Sequence, residues 1–190
     1  WYWKNRLNKI LDNDSIWIGF CQKRRFWLKK KYFQNGDVLS KDDFLIDIPS
    51  EWKGYNAIIC EPMSLEVSNL IKFMKKGYRN IIKNPSILFN KKKHTINLHF
   101  DMYHGYGILN KAISVMDKKD RDEFEYYVNN VNKFNPHIMF ISNPRIANLW
   151  FTDLFNWLDE CEKIFGFKNL RGYETTRLYA YLAERYLSFW

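Results

Sequence analysis

Apolar residues along this chain fall into short unbroken runs and longer stretches of helical spacing. The first run, Ile16 to Cys21, is bordered by Asp12-Asn13-Asp14 before it and by Gln22-Lys23-Arg24-Arg25 after it. A run of that length between polar borders predicts a strand buried on both faces. Upstream, Trp3, Leu7, Ile10 and Leu11 predict a helix over 1–11 that feeds this strand. Downstream, the aromatic and basic stretch Phe26 to Phe33 predicts an irregular strand or loop, and Asn35-Gly36-Asp37 a turn. Phe44 to Ile48 and Tyr55 to Cys60 predict two short strands.

From Pro62 the pattern predicts a helix with Val67, Leu70, Ile71 and Met74 on one face, stopped by Gly77. Residues 78–93 fit no single element. Ile108, Ala112 and Val115 predict a helix over 106–117, Phe124 and Val128 one over 120–131, and Ile138 to Ile141 a strand. Asn143 then caps a long helix with Pro144 at its first position. Its apolar face is Ile146, Leu149, Trp150, Leu154, Trp157, Leu158, Cys161 and Ile164, and Gly166 ends it. A final helix covers about Thr175 to Phe189. The alternation of strands and helices predicts the α/β class, in one domain.

Composition narrows the functions. The 190 residues are 46% hydrophobic and 18% aromatic, which excludes a disordered chain. The net charge of +9 favours anionic partners: nucleotides, nucleic acid or an acidic membrane surface. Its lysine clusters, Lys29-Lys30-Lys31, Lys75-Lys76 and Lys91-Lys92-Lys93, read as solvated faces. The three cysteines, Cys21, Cys60 and Cys161, are too scattered for a zinc site or disulfide framework. Cys21 and Cys60 end apolar runs and read as small core residues, in a reducing compartment such as the cytoplasm. No apolar run approaches the length of a membrane span.

Candidate chemistry gathers at three places. A buried strand that ends in Lys23, Arg24 and Arg25 is suited to an anion such as phosphate, since the arginine fork binds two oxygens at once; the alternative is a solvated basic turn. His99, Asp101 and His104 lie within one short segment as acid/base or hydroxyl-binding groups; the alternative is polar residues at the edge of a strand or helix. Glu184-Arg185, set among Tyr181, Leu182, Tyr186 and Leu187, is either a structural ion pair or a catalytic carboxylate with its partner. There is no glycine-rich phosphate loop, no G-x-S-x-G elbow, no H-E-x-x-H pair and no D-x-D motif after an apolar strand.

Taken together, several segments resemble a family of bacterial glycosyltransferases from capsule and exopolysaccharide gene clusters, long labelled a domain of unknown function. They are Trp1-Tyr2-Trp3-Lys4-Asn5, then Trp17 to Trp27 with its Arg24-Arg25 pair, then His99 to His104 with Tyr103. Met139-Phe140-Ile141 and Tyr181 to Trp190 with Glu184-Arg185 complete the set, in the family's order. Gln22-Lys23 stands where the family has His-Tyr, Ile138 replaces an Asn, and 61–95 reads as an insertion. The family's N-terminal portion has no counterpart here.

The resemblance implies a Rossmann-like, glycosyltransferase A-type fold, incomplete at its N-terminus, with helices rich in aromatics. It implies transfer of sugar from a nucleotide-diphosphate sugar to a saccharide acceptor, in the cytoplasm and with peripheral contact with the inner membrane. In that reading Lys23, Arg24, Arg25, Tyr103 and Arg185 bind substrate, and His99, Asp101, His104 and Glu184 are catalytic. A divalent Mn or Mg ion stays open, since no Asp-x-Asp motif is present. No nucleic acid is expected. The competing readings are a basic nucleic-acid-binding module and a non-catalytic remnant.

Overall fold

A computed structural model describes the chain except for Asp14, 30–37, 67–69 and Asn169; side chains at 70, 72, 173 and 174 are also left aside. The Asn35-Gly36-Asp37 turn, most of the Lys29-Lys30-Lys31 cluster and Val67 therefore lie outside the described residues. In chain order the elements are α1 (Tyr2–Asn5), β1 (Ile18–Phe20), β2 (Ala57–Ile59), β3 (Met63–Ser64), α2 (Leu70–Lys83), α3 (Ile96–His104), α4 (Ile108–Ile113), α5 (Lys118–Asn130), β4 (Lys133–Phe134), β5 (Phe140–Ser142), α6 (Pro144–Phe165), α7 (Tyr173–Thr176) and α8 (Leu178–Phe189). With 55% helix and small antiparallel sheets, the chain is of mixed α/β class, and its helices carry many of the aromatic rings. It forms two compact units, 1–60 with 137–149, and 61–136 with 150–190.

The first unit is built on a three-stranded antiparallel sheet ordered β1-β5-β2. Ser142 faces both Ile18 and Ala57, and Phe140 faces both Phe20 and Ile59. The fully buried strand is therefore β5, not the Ile16 to Cys21 run. A central strand is hydrogen-bonded on both sides, whereas β1 and β2 are edges. Gly19 is exposed, and Ile18 and Phe20 are only half-buried. Cys21 is likewise exposed rather than core.

The helix expected over 1–11 breaks at Arg6 into α1 and a 3-10 turn at Leu7–Lys9. Leu7 is buried, and Trp3 Nε1 donates to Asn148 Oδ1 at 2.8 Å, which ties α1 to the start of α6. Phe44 to Ile48 is not a strand. Among the described residues it makes a bridge between Leu28 and Phe44, with Leu45 N–H donating to the Trp27 carbonyl at 3.0 Å.

The second unit holds most of the helices. Where the helix expected from Pro62 would start, Met63–Ser64 form β3 and pair with β4; among the described residues the helix spans Leu70–Lys83 and runs straight through Gly77. Gly77 is an approach point rather than a stop: a Cβ there would sit 3.2 Å from the Phe73 ring and 3.6 Å from Met102 Cγ of α3. The buried face of α2 is Phe73 and Gly77, whereas Ile71 and Met74 are exposed. Phe73 packs with Ile87, Leu98 and Met102.

A second cluster gathers Phe124 of α5 with Trp157 of α6 and with Tyr186 and Phe189 of α8, ring centroids 5.0–5.7 Å apart. Trp157 Nε1 donates to the Ala112 carbonyl at 2.8 Å, so this buried indole is satisfied. Asn143 and Pro144 start α6 as expected, with Asn143 Oδ1 accepting from Ile146 N–H at 2.9 Å. Among the described residues no helix is long and apolar enough to cross a membrane.

Candidate functional site

Lys23, Arg24 and Arg25 are exposed on a tight turn directly after β1. Gln22 and Arg25 bridge across it, and Arg25 N–H donates to the Gln22 carbonyl at 3.1 Å. The residues bracketing this turn, Cys21 and Phe26, both line an open cleft of about 290 Å³. Trp17, Trp27, Phe44 and Trp52 line it too, with Asp47 as its acidic group. Trp27 Nε1 donates to the Phe20 carbonyl at 3.1 Å and fixes one wall, and Phe26 meets Phe44 edge-on at 5.3 Å. Burial pushes the neighbouring Cys60 thiol up, with Arg25 opposing. The cleft was missed in the sequence because its residues are distant along the chain; the visible signal was the Trp and Phe density around the basic turn.

His99, Tyr103 and His104 belong to the second unit, on helix α3. Thr95 caps α3 through Leu98 N–H at 3.4 Å, and Gly105, at φ 120°, ends it. A separation of four residues on an α-helix puts His99 and Tyr103 on one face, and their rings lie 4.7 Å apart. His104 stacks on Tyr181 of α8 at 3.8 Å and 21°, and lies 6.4 Å from His99.

Arg185 is the hub of this arrangement. It is 1% exposed, with its guanidinium 3.8 Å from the Phe134 ring centroid. Nη1 donates to Glu184, and Nη2 donates to His99 Nδ1 at 3.4 Å. A guanidinium has no acceptor, so His99 Nδ1 is the lone-pair nitrogen here. Among the described residues Nε has no hydrogen-bond partner. Burial pulls the Arg185 pKa below its ordinary value, and the Glu184 carboxylate opposes that pull. Glu184 keeps a solvent-facing edge, its side chain 17% exposed.

Asp101 turns away from this group. Its Oδ1 accepts from Gly107 N–H at 2.8 Å, and Asn80 and Lys83 of α2 lie beside it. Burial raises its pKa, with Gly107, Asn80 and Lys83 acting the other way. The structure thus brings together His99, Tyr103, His104, Glu184 and Arg185, leaves Asp101 on the opposite side of α3, and sets Lys23, Arg24 and Arg25 in the other unit. Among the described residues no group of three His, Cys, Asp or Glu side chains is placed to hold a metal ion.

Elements and site together define a mixed α/β protein with an aromatic-lined cleft beside an exposed basic turn in one unit and a histidine-flanked Arg–Glu pair in the other. The chain belongs to the family described as Domain of unknown function (DUF4422), whose model matches residues 1–190. Comparison with curated proteins and with solved structures found no match.

Proposed function

We propose that this chain is a bacterial glycosyltransferase that moves a sugar from a nucleotide-diphosphate sugar to a hydroxyl of a growing capsular or other surface polysaccharide. The observation that carries this reading is the Lys23-Arg24-Arg25 turn bracketed by two residues of an aromatic cleft. An aromatic wall suits the flat face of a base or sugar, and adjacent arginines suit a diphosphate. The resemblance set out above supplies the reaction class. It also supplies the Rossmann-like, glycosyltransferase A-type fold, which belongs to this proposal: such a fold has a parallel sheet at its centre, and the described sheets are small and antiparallel.

In the reaction the acceptor oxygen forms a bond to the anomeric carbon. The bond from that carbon to the diphosphate oxygen breaks, and its electron pair leaves with the diphosphate. The acceptor proton passes to a base. Arg24 and Arg25, with Lys23, stabilise the departing charge. Within the second unit His99 and Glu184, both held by Arg185, are the acid–base candidates, and Tyr103 and His104 flank them. Asp101 orders the end of α3 through Gly107.

The test is release of nucleoside diphosphate from a panel of UDP-, GDP- and dTDP-sugars with an oligosaccharide acceptor. Arg24→Ala and His104→Ala should each keep the circular-dichroism spectrum of the wild type and cut release by about 10²-fold. Wild-type rates in both variants would sink the assignment.

A further inference from the structure

Helix α2 is apolar on two sides. Phe73 and Gly77 face α3, yet Ile71, Met74, Tyr78 and Ile82 are 70%, 58%, 50% and 75% exposed. Their spacing of three, four and four residues aligns them in one stripe along the helix. Beside the stripe the next arc of the wheel carries Lys75, Arg79, Lys83 and Lys76. Arg79 Nε donates to Tyr78 Oη at 3.0 Å, so the cationic arc is anchored to the rim of the apolar one. The helix sequence LIKFMKKGYRNIIK has no acidic residue. The segment after it adds Phe89, 89% exposed, and the exposed Lys91, Lys92 and Lys93, of which Lys91 pairs with Glu66 at 3.1 Å.

An exposed apolar stripe alone does not name its partner. A stripe bordered by cations, on a helix that has no acidic residue of its own and meets Asp101 of α3 at Lys83, does: it matches a surface that is apolar below and anionic above. We propose that α2 lies on an anionic lipid surface, with Ile71, Met74, Tyr78 and Ile82 in the acyl boundary and Lys75, Arg79 and Lys83 at the headgroups. Lys and Arg suit that border because their stems lie along apolar material while their charges reach the phosphates. The opposite face stays packed on α3, so the helix docks without unfolding the second unit. This inference does not rest on the transferase reading, and its readout involves no sugar.

The experiment is co-sedimentation of the full chain with vesicles of phosphatidylcholine alone or with about one third phosphatidylglycerol. Wild type should bind the anionic vesicles and not the neutral ones, and release at high salt. Ile71→Gln with Ile82→Gln should weaken binding by about tenfold or more, and Lys75→Gln with Arg79→Gln should weaken it too. All four side chains are exposed, so both double variants should keep the wild-type melting temperature. Failure to bind anionic vesicles would overturn the proposal, as would binding unchanged by Ile71→Gln with Ile82→Gln. So would a lipid-free self-association abolished by those same two changes without any vesicle binding, which would make the stripe a contact between two copies.

Discussion

At the scale of single residues, Asp101 and the Glu184–Arg185 pair show how burial sets the sign of an effect. Burial raises the Asp101 pKa above its value in the unfolded chain. Such a group favours folding below the unfolded pKa, and that contribution is lost as pH rises through the raised one. At neutral pH its charge therefore works against the fold. Asp101→Asn keeps an oxygen to accept from Gly107 and removes the charge, so it should be more stable than wild type at pH 7. The gap should close below about pH 4, the ordinary carboxylate range, in urea unfolding. Asp101→Ala loses the acceptor as well and should cost about 1–3 kcal/mol. Glu184→Ala leaves Arg185 buried without its carboxylate and should cost about 2–4 kcal/mol; adding Arg185→Met should restore part of that. Both groups stood out in the sequence as candidate chemistry. Which way each side chain points did not, because a two-residue step around α3 puts His99 and Asp101 on opposite sides and only tertiary packing fixes that orientation.

At the scale of elements, legibility followed the strength of local signals. The start of α6 was readable because Asn143 and Pro144 act within one turn, and Asn143→Ala should lower stability by about 1 kcal/mol in thermal or urea unfolding. The end of α3 depends on Gly105, where φ is 120° and an added Cβ would lie 2.4 Å from Ile108 Cδ1. Gly105→Ala should destabilise by about 1 kcal/mol or more, measured the same way. Gly77 is the opposite case. The same residue type, with lysines before it, reads as a helix stop in sequence, but a close approach between α2 and α3 keeps it mid-helix. The Ile16 to Cys21 run misled for a related reason. Hydrophobicity marks a strand, but whether that strand is central or an edge depends on partners distant in sequence, here β5 in the middle.

At the scale of the whole molecule, the division into two units was not legible, because each unit is assembled from separated segments. The basic turn was readable from charge alone, while the cleft it borders needed residues from 17 to 141 to come together. If the cleft binds the donor nucleotide, a matching nucleoside diphosphate should raise the melting temperature, as any ligand of the folded state must. Arg24→Ala should abolish that shift and Glu184→Gln should leave it intact while reducing transfer, which separates recognition from chemistry by differential scanning fluorimetry. The tryptophans have a further consequence. Trp17, Trp27 and Trp52 sit half-buried around the cleft, whereas Trp150 and Trp157 are sealed in the aromatic cluster of the second unit. Indoles in wet surroundings emit at longer wavelength than sealed ones. Trp1 and Trp190, outside the cleft, are exposed and add to the long-wavelength side; a base stacked in the cleft would dim the share of Trp17, Trp27 and Trp52 and spare the short side, so the molecule carries its own optical signal for occupancy.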